Sequence, residues 1–128
     1  FKNGTATMAN AAMPPIYHYS ADKKKMNEIE IVNLPLGGLA NEEYELAEID
    51  FNEGDLLVQL SDGLPEAPNP GGELIDYQKL FDCIEQNAMK SPKDVVVSLV
   101  AMAEEWLDGN INPDDITIVA TKKNKTKE

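Results

Sequence analysis

An α+β fold, with a mostly antiparallel sheet and two helices on one face, is predicted by the order of elements in this sequence. Patterns typical of strands occupy the first half of the chain, two helical patterns follow, and one further apolar strand comes last. Helices that are separated from the strands along a sequence usually pack together on one side of an antiparallel sheet, because both kinds of element must bury an apolar face.

The predicted strands are recognised by alternating or continuous apolar residues. The alternation in Glu28–Ile31 and in Tyr44–Phe51 is typical of strands with one buried face. The run Leu56–Ser61 is apolar on both faces, which indicates a central strand. Two further strands are predicted at Thr5–Asn10 and Ile16–Tyr19, with a hairpin tip at Asp22–Lys25.

A loop rich in proline and glycine, residues 64–72, separates these strands from the helices. The second helix has a clear start, with Ser91 as its N-cap and Pro92 in its first turn, and Gly109 suits its C-terminal cap. Ile116–Ala120 is the last predicted strand. The first helix is marked by an apolar stripe at helical spacing, which consists of Tyr77, Leu80, Phe81, Ile84 and Ala88.

Composition limits the classes of partner. The chain of 128 residues has 23 acidic and 11 basic residues, a net charge of -12, which disfavours binding to nucleic acid or to an anionic membrane. Its one cysteine, Cys83, allows no intrachain disulfide and suits the cytoplasm. No apolar run approaches the roughly 20 residues of a membrane span. We therefore expect a cytoplasmic protein with no membrane insertion and no nucleic-acid partner.

Two acidic motifs each place an aspartate at the end of a predicted strand. Asp62 follows Leu56–Ser61, whereas Asp114 and Asp115 precede Ile116–Ala120. Taken separately, Asp-Gly is a common hairpin turn, and two acids after Asn-Pro often open a strand. If the two strands are antiparallel and close, however, the carboxylates reach the same edge of the sheet. Together the motifs favour an oxygen-only site for a hard metal ion.

The order of these motifs resembles the C-terminal half of the metal-dependent PPM (type 2C) protein phosphatases, in the bacterial branch that regulates sporulation and sigma factors. Ser61–Ala67 is similar to the branch's Thr-Asp-Gly-Val-Thr-Glu-Ala motif, and Asp114–Thr117 to its closing Asp-Asp-x-Thr. Ala9–Pro15 resembles its Asn-Ala-Gly-His-Pro-Pro segment, with Ala12 and Met13 in place of Gly and His. Two shorter similarities are Leu34–Gly37 to its Pro-Leu-Gly stretch and Glu53–Leu57 to its Pro-Gly-Asp segment.

The resemblance implies a protein serine/threonine phosphatase that hydrolyses phosphoserine or phosphothreonine on a regulatory partner protein. It implies that Asp62 and Asp114 are metal ligands and that Gly63 and Asp115 lie beside them without binding metal. Two Mn²⁺ or Mg²⁺ ions would activate a water for in-line attack on phosphorus, and their remaining ligands would come from the N-terminal half of the domain. The only histidine, His18, is expected to have a structural role.

The resemblance also bears on domain organisation and partners. Residues 1–121 would be the C-terminal portion of an αββα phosphatase sandwich, incomplete as an enzyme in this fragment, and residues 122–128 a polar tail. The substrate would be an anti-anti-sigma-type domain, and an upstream sensor domain would lie in the same chain. Two alternatives stay open: a catalytically degenerate relative that binds a partner as a regulator, and an unrelated α+β interaction domain.

The apolar strands lead to one more expectation. Thr5–Asn10 and Leu56–Ser61 carry apolar side chains on a face that the two helices cannot also cover. A sheet with an apolar face must be covered, so we expect either the other half of the domain or a homodimer to hide this face.

Overall fold

The structure, a computed structural model that describes residues 4–125, contains the predicted strands and helices in the predicted order. The fold is therefore α+β, as the sequence predicts. Within the described residues the elements are β1 (Thr5–Ala9), β2 (Ile16–Ser20), β3 (Lys25–Ile29), β4 (Leu46–Asp50), β5 (Leu56–Leu60), α1 (Tyr77–Asn87), α2 (Pro92–Leu107) and β6 (Ile118–Lys122).

The larger sheet has four strands in the order β3-β2-β5-β6, and every neighbouring pair is antiparallel. β5 lies between β2 and β6, so the central position predicted for Leu56–Ser61 is confirmed. We predicted that this strand and the last strand lie antiparallel in one sheet, adjacent or separated by one strand. They are antiparallel and adjacent, since Leu56 is opposite Lys122 and Leu60 is opposite Ile118. The end of β5 and the start of β6 therefore lie at the same edge of the sheet.

Both helices cover one face of this sheet. Leu56, Val58 and Leu60 point to that face, because every second residue of a strand shares a side. They form a buried core with apolar side chains of both helices, among them Leu80, Ile84, Val95, Leu99 and Ala103.

The ends of the helices follow from local sequence. Ser91 is the N-cap of α2 and accepts a hydrogen bond from Asp94 N at 3.2 Å, as predicted. At the other end of α2, Asp108 is the C-cap with φ of 44°, and Gly109 follows with φ of 81°. No helix within residues 4–125 has both the length and the apolar character needed to cross a membrane.

A separate two-stranded sheet, β1 paired antiparallel with β4, lies over part of the other face of the larger sheet. Leu57, which points away from the helices, is only 5% exposed and packs in a second core with Ala6, Ile16, Ile31 and Phe51. Leu57 is therefore buried within this chain, whereas Val119 on the same face is 48% exposed, and the expectation that the other half of the domain or a second copy hides this face stays a prediction. β1 and β4 pair with each other and form a layer over the sheet instead of extending it.

Several strand boundaries differ from the predictions by a few residues. β3 begins at Lys25, which was predicted as part of the hairpin tip, and β6 begins two residues later than predicted. Lys122, which we placed in the tail, belongs to β6, and its amine donates hydrogen bonds to the carbonyl oxygens of Ala88 (2.9 Å) and Lys90 (2.8 Å). Residues 126–128 of the predicted tail lie outside the described residues.

Candidate metal centre

The two aspartate motifs meet where residues 61–63 leave β5 and residues 112–117 approach β6. The amide of Ser61 donates to the carbonyl oxygen of Thr117 at 3.0 Å. The hydroxyl of Ser61 accepts a hydrogen bond from Thr117 N at 2.9 Å and donates to the carbonyl oxygen of Asp115 at 3.3 Å. Because this side chain replaces a backbone partner of Thr117, the regular pairing of β6 starts only at Ile118.

Gly63 allows the two segments to touch. A Cβ at this position would overlap the carbonyl oxygen of Asp115 and lie 2.8 Å from its carbonyl carbon and 3.5 Å from that of Asp114. Non-bonded carbon atoms prefer separations of about 3.5–4.0 Å, so only a residue without a side chain fits. The structure thus places Gly63 and Asp115 next to the two aspartates predicted as ligands, and their contact runs through the backbone of Asp115.

The carboxylates of Asp62 and Asp114 belong to residues that are exposed to solvent. Asp62 begins a turn in which its carbonyl oxygen accepts a hydrogen bond from Glu66 N at 3.0 Å. Oδ1 of Asp114 accepts a hydrogen bond from Asp115 N at 2.9 Å, which fixes the orientation of that carboxylate. Both side chains are therefore accessible to an ion, and they belong to backbone segments that are in direct contact.

One polar side chain at this junction was missed by our sequence reasoning. Asn112 Nδ2 donates a hydrogen bond to the carbonyl oxygen of Gly63 at 2.9 Å, and Asn112 Oδ1 lies 3.5 Å from Asp114 N. The sequence signal was present, since Asn112 precedes Pro113 and Asp114. We interpreted Asn-Pro only as turn chemistry, which is the more common use of that pair.

Tyr77, the first residue of α1, lies near the negatively charged side chains of the junction. Burial raises the pKa of the Tyr77 phenol, and the carboxylates of Glu66 and Asp62 raise it further because they disfavour a second negative charge nearby. We predicted Tyr77 as part of the apolar stripe, but it is 46% exposed and lies at the edge of the core. Asp62 and Glu66 therefore create a negative potential at the start of α1.

The donor set at the junction suits a hard metal ion but is incomplete. Carboxylate oxygens are the ligands that Mg²⁺ and Mn²⁺ prefer, so Asp62 and Asp114 suit such ions. Within residues 4–125, no group of three or more His, Cys, Asp or Glu side chains is arranged to hold a metal. Sites with two metals use several carboxylates. The residues present therefore fit as part of a site that needs further ligands.

A buried acid at the opposite edge of the sheet has a structural role. Asp55 has no exposed surface, and it accepts hydrogen bonds from Ala21 N at 2.8 Å and Asn52 N at 2.9 Å. Its Oδ2 lies 3.1 Å from His18 Nε2. These contacts join the β2–β3 hairpin to the turn before β5, which agrees with the structural role expected for His18.

The fold of this chain also occurs in solved phosphatase domains of type PP2C. The chain matches the SiaA-PP2C domain of Pseudomonas aeruginosa with a TM-score of 0.79 and 19% identity, over 96% of this chain and 48% of that one. It matches the phosphatase domain of SpoIIE from Bacillus subtilis, solved after presoaking with Mn, with a TM-score of 0.73 and 15% identity, over 99% of this chain and 54% of that one.

The sequence itself identifies the family. A family model described as Stage II sporulation protein E (SpoIIE) matches residues 1–124, and the chain belongs to this family. The phosphoserine phosphatase RsbU of Bacillus subtilis is 27% identical over 119 residues, which are 91% of this chain and 34% of RsbU. The chain spans a still smaller share, 19%, of a second relative, protein IcfG of Synechocystis. The family resemblance inferred from the acidic motifs is confirmed.

Proposed function

We propose that the full-length protein hydrolyses phosphoserine or phosphothreonine on a regulatory partner protein, and that this chain supplies two of its metal ligands, Asp62 and Asp114. The observation that supports the proposal most directly is the junction of residues 61–63 with residues 112–117, which brings the two aspartate motifs into contact at one edge of the sheet. Membership of the SpoIIE family and the similarity to RsbU, a phosphoserine phosphatase by name, support the same reaction class.

The metal would be Mn²⁺ or Mg²⁺, in two copies, with the remaining ligands provided by the other half of the domain. Such ions supply a water acidic enough to attack phosphorus at neutral pH, and they neutralise charge on the phosphoryl oxygens. Asp62 and Asp114 hold the ions at the edge of the sheet, and Gly63 lets their segments approach. A phosphorylated domain of the anti-anti-sigma type is the substrate class we propose.

Ligand removal tests this proposal in the full-length protein. We expect Asp62→Asn and Asp114→Asn each to lower turnover of a phosphoserine protein substrate with Mn²⁺ by more than about 100-fold, since even partners outside the ligand set are worth roughly 10–100-fold. The melting temperature should stay the same or rise, because loss of one carboxylate relieves repulsion among the clustered acids. Asn keeps the Oδ1 acceptor that Asp115 N uses at position 114.

The control is Asp50→Asn, which removes the charge of an exposed aspartate at the end of β4 and should leave turnover unchanged. Unchanged turnover in either ligand variant would refute the assignment of that residue. A wild-type protein that binds its partner but shows no turnover with Mn²⁺ or Mg²⁺ would instead support the alternative, a catalytically degenerate regulator of the same fold.

A further inference from the structure

We propose that Asn112 is a positioning residue that sets the separation between the segments of Asp62 and Asp114, and that it thereby tunes the affinity of the site for its metal. This inference rests on the proposed function, because it concerns the same two aspartates. None of the segments on which the family resemblance was based includes Asn112.

The geometry around Asn112 joins the two motifs through one side chain. Its amide group donates to the carbonyl oxygen of Gly63 at 2.9 Å, one residue after Asp62, and its amide oxygen lies 3.5 Å from the backbone nitrogen of Asp114. The second contact is at the long limit of a hydrogen bond, so the bond to Gly63 is the stronger link. Asn112 is half-buried, which protects that bond from competition with water.

Asn112 restrains the separation between the segments of Asp62 and Asp114, which the two aspartates do not restrain themselves. The carboxylates of Asp62 and Asp114 repel each other, and the contact of Gly63 with Asp115 limits only how closely their segments approach. Asn112 opposes separation on one side of that contact, while the Ser61 hydroxyl does so on the other through Asp115 and Thr117. Because a metal ion tolerates little variation in ligand position, a restraint on the spacing should appear in its affinity.

The chain offers a matched control two residues away. Asn110 Nδ2 also donates to backbone carbonyl oxygens, those of Pro68 (3.2 Å) and Asn69 (3.4 Å), but these belong to the loop before α1 and not to an aspartate motif. Asn110→Ala and Asn112→Ala therefore remove the same chemical group from the same connection. Only the second change alters the junction.

The experiment measures Mn²⁺ binding to the full-length protein by the electron paramagnetic resonance signal of free Mn²⁺, with turnover of a phosphoserine protein substrate as a second readout. We expect Asn112→Ala to weaken Mn²⁺ binding by about 10-fold, the lower end of the range for partners that orient ligands. The metal concentration for half-maximal turnover should rise by the same factor, and turnover at saturating metal should stay near that of the wild type. Asn110→Ala should bind Mn²⁺ like the wild type.

A second variant separates position from charge. Asn112→Asp keeps the acceptor near Asp114 N but cannot donate to Gly63, and it adds a negative charge next to the site. If spacing decides the affinity, this variant binds Mn²⁺ more weakly than the wild type; tighter binding would overturn the inference, because charge alone would then decide. Equal affinities of the wild type and Asn112→Ala would also overturn it while leaving the proposed function intact. A wild-type protein that neither binds Mn²⁺ nor turns over substrate would overturn both.

Discussion

Replacement of Gly63 by alanine is the most direct test of the backbone contact between the two aspartate motifs. The new Cβ would overlap the carbonyl oxygen of Asp115 and lie 2.8 Å from its carbonyl carbon, whereas the optimal van der Waals separation of two carbon atoms is about 3.5–4.0 Å. The obstacle is backbone, which cannot rotate aside as the tip of a flexible side chain can. The segments of residues 61–63 and 112–117 must therefore separate by roughly 1 Å.

The cost follows from the hydrogen bonds that this separation breaks. Two bonds of 2.9 Å, Thr117 N to Ser61 Oγ and Asn112 Nδ2 to Gly63 O, would exceed the usual limit, as would the 3.3 Å bond from Ser61 Oγ to Asp115 O. At about 0.5–1.5 kcal/mol each, with some recovery by water at this exposed edge, their loss together with packing strain should lower the free energy of unfolding by about 2–4 kcal/mol.

Urea denaturation followed by circular dichroism measures this change, with Gly71→Ala as the matched control. A Cβ at Gly71 would meet only the side-chain oxygen of Asn69, at 3.2 Å, so the free energy of unfolding should change by no more than about 0.5 kcal/mol. Mn²⁺ affinity should fall in the Gly63 variant and not in the Gly71 variant. If Gly63→Ala matched Gly71→Ala in both measurements, the tight contact with Asp115 could not be what holds the junction together.

Two further predictions concern buried polar groups away from the junction. Asp55→Ala leaves the donors that now bind its carboxylate without a partner, so it should lower the free energy of unfolding by about 3–5 kcal/mol in urea denaturation. The exposed control Asp50→Ala should change it by less than about 0.5 kcal/mol. A small effect of Asp55→Ala would contradict its role as a buried link. The Tyr17 hydroxyl is buried with no hydrogen-bond partner among the described residues, so Tyr17→Phe should leave the free energy of unfolding at neutral pH unchanged or raise it by up to about 1 kcal/mol. Burial also raises the pKa of this hydroxyl above the ordinary 10.0. As pH rises above 10.0, only the unfolded wild type releases this proton, so the wild type should lose stability there and the variant should lose less; equal losses in urea titrations at alkaline pH would refute this.

The parts of the fold that were predicted correctly are those with local signals. Ser91 and Pro92 mark the start of α2 because capping depends on a few neighbouring residues. The antiparallel orientation of β5 and β6 in one sheet was predicted because aspartates at opposite strand ends reach the same edge only in that orientation, although the sequence left open whether one strand lies between them. The family assignment followed from the same motifs.

The features that were missed depend on contacts between distant residues. Alternation identified Tyr44–Phe51 as a strand, but period two does not reveal a partner, and β4 pairs with β1 in a separate sheet. The delayed start of β6 has a similar cause, since Thr117 pairs with a side chain 56 residues away. Asn112 contacts a carbonyl oxygen 49 residues earlier, and its position before Pro113 and Asp114 indicates a turn without revealing this distant partner.

The geometry of the junction bears on how this chain could contribute to the proposed metal site without completing it. The backbone contact at Gly63 and the hydrogen bonds of Ser61 connect residues of this chain to one another, so they require neither metal nor substrate. The aspartates themselves contribute exposed carboxylates to a chain that already has a net charge of -12. A bound cation would offset the repulsion between them, whereas the contacts around them hold the backbone without one. If Asp62 and Asp114 bind metal as proposed, folding of this chain already positions their backbone, and the bound ion would supply the compensating charge.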